Sequence, residues 1–314
     1  MKLSVVVPCY NEEKNVILIH DAIIDTFKEQ KFDYEIIFVN DGSKDNTIDN
    51  LRAIVNDNKA NITVIDFSRN FGKEAAIYAG LSKASGELVS LIDADMQQDP
   101  KYILESVNFL EKNRDYDSVA FYQEKRKEGK VLSGFKKCFY RLINRISDIT
   151  FTENASDFRT IRRNMVDSII SMKEYYRFSK GIFSWIGFKT KYLPYDVKER
   201  ATGTTKWSFK KLFKYALDGI ISFTTAPLKM ATYVGLLSSF GSVIYIIFLI
   251  IKKLAYGIDV PGYATVITLI LFLGGLQLFS LGIIGEYMGR TYIEVKERPI
   301  YIAREELNSR CRND

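Results

Sequence analysis

Residues 88–98 read LVSLIDADMQQ: an apolar β-type run, Leu88–Ile92, closed by two aspartates, Asp93 and Asp95, one residue apart. A short apolar run stopped by a polar turn is the pattern of a buried strand. Toward the N-terminus the pattern recurs at Lys2–Val7 (KLSVVV), Tyr34–Val39 (YEIIFV) and Ile62–Phe67 (ITVIDF). Helix-period stretches lie between these runs near Val16–Phe27, Thr47–Val55 and Ala75–Ser82. Strands separated by helices of this length pair in parallel. Continuous apolar strands such as EIIFV suit a sheet covered on both faces. The front of the chain is therefore read as α/β, with a doubly wound, Rossmann-like, mainly parallel sheet. From about residue 118 to 200 strands and helices mix less regularly, and no internal repeat appears.

Behind residue 229 the composition changes. Residues 230–251 and 260–285 carry no charged side chain, and KKLAYGID joins them. An uncharged apolar run of about 20 residues can cross a bilayer as one helix, so the pair reads as a transmembrane hairpin over 229–286. A buried helical hairpin in a large soluble protein is the competing reading. Lys206, Lys210, Lys211, Lys214 and Lys229 precede the first run, and Arg290, Lys296, Arg298 and Arg304 follow the second. The connecting loop has only Lys252 and Lys253. Positive residues gather on the cytoplasmic side. The expectation is a multi-pass protein of the cytoplasmic (inner) membrane with both termini cytoplasmic. Residues 1–228 form its soluble domain and 287–314 a short cytoplasmic tail. Within 207–226, Phe209, Leu212, Phe213, Ala216 and Ile220 share one helical face and Lys210, Lys211, Lys214 and Asp218 the other. That fits a helix in the headgroup plane, or an amphipathic helix against the soluble core. The N-terminal run LSVVV stops at Pro8 and gives no signal peptide.

The 314 residues carry a formal charge of +6, which suits phosphorylated substrates beside an anionic membrane. The basic residues are dispersed, without an aromatic-interleaved stripe, so no nucleic acid is expected as a partner. Cys9, Cys138 and Cys311 have no zinc-type spacing and read as reduced thiols. His20 is the only histidine, which excludes a histidine-based zinc site and a Ser-His-Asp triad.

Ligands of open parallel sheets bind beyond the carboxyl ends of the strands. There the chain offers Pro8–Glu13, Asn40–Ser43, Ser68–Lys73 and Asp93–Gln98. Four polar strand ends facing one crevice argue for a site. Asp93 and Asp95 could share Mg²⁺ or Mn²⁺, an ion that keeps waters and takes further oxygens from substrate phosphates. A plain turn is the alternative for that pair.

VVPCYNEE, VNDGSKDNT, FSRNFGKEAA and DADMQQDP, in that order, resemble the inverting family 2 glycosyltransferases of GT-A fold. NASDFRTIRR (154–163), RATGTTKWSF (200–209), the double span and EVKERPIYI (294–302) are similar to the bacterial polyprenyl-phosphate (bactoprenol) branch, relatives of dolichol-phosphate mannose synthase. The resemblance implies a nucleoside pocket lined by Pro8, Tyr10, Glu12 and Asp41, with Asp41 accepting hydrogen bonds from the base. It implies Asp93 near ribose and metal, Asp95 on the metal, Gln97 beside the nucleotide-sugar, and Arg69 and Lys73 closing over it. Asp157 matches the acidic group usually named as base or acceptor-orienting residue, although it could simply cap the structure around Ser156–Phe158. Arg200 and Lys206 match phosphate-binding residues of a flexible loop, or are merely flanking charges. Two positions depart from the family pattern: Asn40, where many relatives carry aspartate, and Gln98-Asp99, where Asp-Pro is common.

The implied reaction moves a hexose-type sugar from a nucleotide-diphosphate sugar, a UDP-sugar favoured, to polyprenyl (undecaprenyl) phosphate. The acceptor oxygen attacks opposite the leaving diphosphate, so an α-linked donor yields a β-linked product. A phosphate monoester is largely dianionic at neutral pH and needs little help from a base, so Asp157 is expected to orient rather than to remove a proton. Paired hairpins and a strand-like segment at Pro299–Ala303 are compatible with a homo-oligomer in contact with membrane lipid. A processive polysaccharide synthase of family 2 is one alternative, but its Gln-x-x-Arg-Trp element is not visible. A non-catalytic membrane scaffold is another, and it has no need for the combination of Asp41, Asp93, Asp95 and Asp157.

Overall fold

The first strand, β1 (Lys2–Cys9), shows how the two layers arise. Side chains alternate across a strand, and here both faces are apolar. Val5 and Val7 enter one core cluster and Val6 the other. In the computed structural model, which describes residues 2–57, 60–123, 140–141, 143–145, 147, 155–196, 221–256 and 262–309, this strand is central. Beside it run β2 (Asp33–Asn40), β3 (Asn61–Phe67) and β4 (Leu88–Leu91), all parallel in the order β4-β1-β2-β3. Helices α1 (Val16–Phe27), α2 (Thr47–Asp57) and α4 (Lys101–Lys112) bury their apolar residues with the Val5–Val7 face. Helix α3 (Lys73–Lys83) covers the Val6 face together with α5 (Arg163–Ser171) and α6 (Ser179–Trp185).

The sheet is wider than its parallel centre. β5 (Ser118–Gln123), β6 (Ala155–Arg162) and β7 (Thr190–Tyr195) extend it in the order β7-β5-β6-β4. β6 is antiparallel to both of its neighbours, and β5 and β7 are parallel. On the far edge β8 (Ala303–Ser309) pairs antiparallel with β3.

Helices α7 (Ala226–Tyr256) and α8 (Tyr263–Val295) follow the α/β domain. Their apolar stretches, Ala226–Lys252 and Thr265–Val295, have mean hydropathies of 2.4 and 2.2, and neither has a buried window. Helices hydrophobic all round and buried nowhere are not packed into the core of this chain. Both are long enough to cross a bilayer. Their polar ends meet beside the α/β domain: the Tyr287 hydroxyl donates to the Thr224 carbonyl at 2.7 Å, and Arg290 Nη1 to Ser222 Oγ at 2.9 Å.

Two boundaries differ from the sequence reading. α8 continues past residue 285 because its last turns, with Glu286, Arg290 and Glu294, remain helical outside the apolar stretch. The segment read as a tail with strand character at Pro299–Ala303 forms its strand at 303–309 and pairs within its own chain. Of the stretch 207–226 read as amphipathic, 207–220 lie outside the described residues.

Candidate functional site

The crevice opens where β1, β2, β3 and β4 end and the antiparallel β6 begins. At β1 the chain turns through Asn11, and at β4 through Met96, both with positive φ (53° and 62°). Asparagine tolerates that region, whereas a methionine there is strained. The Met96 turn directly follows Asp95, whose Oδ1 accepts a hydrogen bond from the Gln97 amide at 3.2 Å. Pro8 lies in β1 opposite Val39, and Tyr10 is exposed at the mouth. Glu12 accepts from Asn15 Nδ2 at 2.6 Å, while its amide donates to Thr47 Oγ1.

At the β2 end, Asp41 is buried and fully engaged. Its Oδ1 accepts from the Phe71 amide at 2.6 Å, and both oxygens receive the Gly72 amide at 3.0–3.1 Å. Asn70 Nδ2 donates to Oδ2 at 2.8 Å. The residue expected to meet a nucleobase is thus also the clasp of the β3–α3 loop. Burial raises its carboxyl and the amide bonds only partly compensate, leaving a pKa of about 6. Gly42 permits the clasp: its φ is +60°, and a Cβ there would strike the backbone of Arg69 and Asn70. Asn40, the departure from the family pattern, donates to Asp66 at 2.6 Å in the interior and accepts from half-buried Ser43 Oγ at 2.5 Å. Arg69 folds over the Phe71 ring at 3.9 Å.

The other end of the crevice is ionic. Because α3 begins at Lys73, two residues earlier than the apolar period suggests, Lys73 and Glu74 occupy its first turn. Lys73 Nζ bridges Asp93 Oδ1 at 2.7 Å and Asp157 Oδ2 at 3.1 Å. Desolvation opposes its charge, but Asp93 and Asp157 outweigh it and hold the ammonium above its ordinary pKa. Asp157 experiences the converse. Burial pushes its carboxyl up, but Lys73, Lys180 and Arg159 overcome this and hold it at about 2. Arg159 is itself buried, with its guanidinium 3.6 Å over the Phe183 ring, and desolvation lowers it to about 10. Next door, Glu74 accepts from the Ser179 amide at 2.9 Å and from its hydroxyl. Burial first, and Asp157 second, raise Glu74 to about 7.

Lys73, Asp93 and Asp157 come together in one ion-pair cluster, and Asp41 lies apart from it on the amides of Phe71 and Gly72. Arg200 and Lys206 lie outside the described residues. The sequence reading missed Glu74, Arg159 and Lys180, and gave Gln98 only as a departure from the family pattern. Gln98 is buried; its Oε1 accepts from the Asp93 amide at 2.9 Å, and its Nε2 donates to Asp93 Oδ2 at 3.2 Å. Its place in DADMQQDP was the available signal. Arg159 gave none, because arginines are rarely buried.

Among the described residues no three His, Cys, Asp or Glu side chains gather as a ready metal cage. The donors still fit Mg²⁺ or Mn²⁺, which need only one or two carboxylates when substrate phosphates complete the shell.

The model of glycosyl transferase family 2 matches residues 4–170, and that of the GtrB C-terminal hairpin matches 226–291. An uncharacterized glycosyltransferase of Synechocystis is 43% identical over 96% of this chain and 94% of its own. The bactoprenol glucosyl transferase of Shigella phage SfV is 39% identical over 98% and 99%. The prophage bactoprenol glucosyl transferase homolog of Escherichia coli is 38% identical over 96% and 98%. Among solved structures, glucosyl-3-phosphoglycerate synthase from Mycobacterium tuberculosis, in complex with Mn²⁺, UDP and glucosyl-3-phosphoglycerate, aligns with a TM-score of 0.47 at 17% identity, covering 70% of this chain and 77% of that one.

Proposed function

This chain belongs to glycosyl transferase family 2, and from that premise we propose that it transfers one hexose-type sugar from a nucleotide-diphosphate sugar, a UDP-sugar favoured, to polyprenyl phosphate at the inner leaflet of the cytoplasmic membrane. The observation that carries the reading is the Lys73 bridge between Asp93 and Asp157, in a crevice on the same chain as two exposed apolar helices. An ammonium neutralised by two carboxylates can exchange one of them for a phosphate oxygen. Two anionic substrates, the donor diphosphate and the acceptor phosphate, need a cation placed between them.

The nucleoside would lie at the Pro8, Tyr10, Glu12 and Asp41 end, with Gln97 and Arg69 flanking it. Asp95, with Asp93 once Lys73 turns to phosphate, would hold a divalent cation, whose charge would stabilise the departing diphosphate. Asp157 is ionised throughout the neutral range, as its pKa of about 2 requires. A carboxylate so weakly basic is a poor acceptor for a proton held near pH 6 by a phosphate monoester. Asp157 therefore orients Lys73 and sets the charge at the acceptor end rather than acting as base. Arg200 and Lys206 would add cations toward the acceptor. Both ends of the hairpin meet beside the α/β domain, which supports both termini on the cytoplasmic side.

The test is donor turnover by the full-length protein in lipid vesicles, with a panel of nucleotide sugars and Mg²⁺ or Mn²⁺. Turnover should require a polyprenyl phosphate and cease with chelator. Donor consumption indifferent to that lipid would refute the acceptor, and consumption indifferent to chelator would refute the metal.

A further inference from the structure

We infer that residues 300–304, where the chain returns from the second membrane helix, are positioning residues for the crevice. They hold the β3–α3 loop and tie it mechanically to the membrane anchor. This rests on the proposed function only for what the loop binds.

The contacts form a continuous strap. The Ser68 amide donates to the Ile302 carbonyl at 2.9 Å. Arg304 Nη2 donates to the Ser68 carbonyl at 3.0 Å, and Arg304 Nη1 lies 3.7 Å from buried Asp66. Tyr301 stacks on Phe67, with ring centres 4.8 Å apart, and Phe67 meets Phe71 edge to face at 5.7 Å. Ile300 lines a cavity of about 240 Å³ with Phe71, Lys73, Glu74 and Tyr175. Just upstream, Glu294 in the last turn of α8 accepts the Tyr175 amide at 2.9 Å. The loop so held is the one whose Phe71 and Gly72 amides fill Asp41 and whose Lys73 bridges Asp93 and Asp157.

The remainder of β8 is held differently. Glu305 pairs with Arg52 and Glu306 with Lys83, away from the loop. These pairs provide a control, because losing them weakens the strand without touching Ser68 or Phe67.

Amide hydrogen exchange and steady-state kinetics on the full-length protein in lipid nanodiscs test the inference. Arg304→Ala and Tyr301→Ala should speed exchange at Phe71 and Gly72 about tenfold, and raise the KM for the nucleotide sugar more than they lower kcat. Glu306→Ala and Arg52→Ala should leave both readouts within about twofold, as exposed ion pairs contribute little. Unchanged exchange at Phe71 and Gly72 in the first pair overturns the inference, as does an equal acceleration in the second pair. Exchange needs no substrate. Fast loop exchange in Arg304→Ala, in a protein whose wild type turns over no nucleotide sugar, would sink the functional reading and leave the strap standing.

Discussion

The two ends of the crevice each hold an aspartate, Asp41 buried and Asp157 partly so, and the carboxyls shift in opposite directions. Burial raises Asp41 to about 6, and the amides of Phe71 and Gly72, with Arg69 as the one cation acting on it, offset this only in part. Asp157 is surrounded by Lys73, Lys180 and Arg159, and its pKa falls to about 2. Amide hydrogen bonds with one cation, Arg69, do not repay desolvation of the Asp41 carboxylate, whereas three cations repay that of Asp157. The ends are accordingly specialised. The neutral end suits a nucleoside, which brings no charge, and the ionic end suits phosphates.

Removing the anion at the ionic end should break this contrast most severely. Asp157→Asn leaves Lys73, Lys180 and buried Arg159 without their shared partner, and kcat is expected to fall about 10³-fold, at the upper range for loss of one preorganised electrostatic group. The pH–rate profile should keep its shape. Activity restored fully at high pH would instead assign Asp157 as the general base. Lys73→Ala removes the cation and leaves two facing carboxylates, for an expected loss of about 10²-fold in kcat/KM. Lys73→Arg should recover part of it, and wild-type kinetics in Lys73→Ala would remove the bridge from the mechanism.

The smallest effect sharpens the neutral end. A carboxyl raised from about 3.9 in the unfolded chain to about 6 in the fold favours the native state while protonated. That contribution is complete below pH 4 and is lost as pH rises through about 6. Wild-type stability relative to Asp41→Asn should therefore decline by about 2 kcal/mol between pH 4 and pH 7. A difference that stays flat in denaturant titrations at several pH values would place Asp41 in an ordinary environment.

The same contrast separates what the sequence displayed from what it concealed. β1 to β4 and the helices between them were legible because parallel, doubly covered strands are apolar without interruption, as in EIIFV. Their ends were legible too: Asp41, Lys73, Asp93 and Asp95 fall where local pattern puts them, and Asp157 came from family resemblance. The later elements obey long-range pairing. Nothing local in ASDFRTIR announces a strand inserted antiparallel between β4 and β5. AREELNS at the sheet edge is charged, as exposed edges tend to be, and so does not resemble a strand. Its partner in β3 lies more than two hundred residues earlier. Arg159 was hidden for a related reason, since burial of a polar side chain depends on neighbours that only the fold assembles.

The most direct measurement of the central claim is the structure of the product. Lipid extracted after single-turnover reaction with a nucleotide α-hexose and undecaprenyl phosphate should contain one sugar per polyprenyl phosphate, joined through the phosphate oxygen in the β configuration by mass spectrometry and NMR. Chains of several sugars, an α linkage, or sugar found only on water-soluble acceptors would contradict the account.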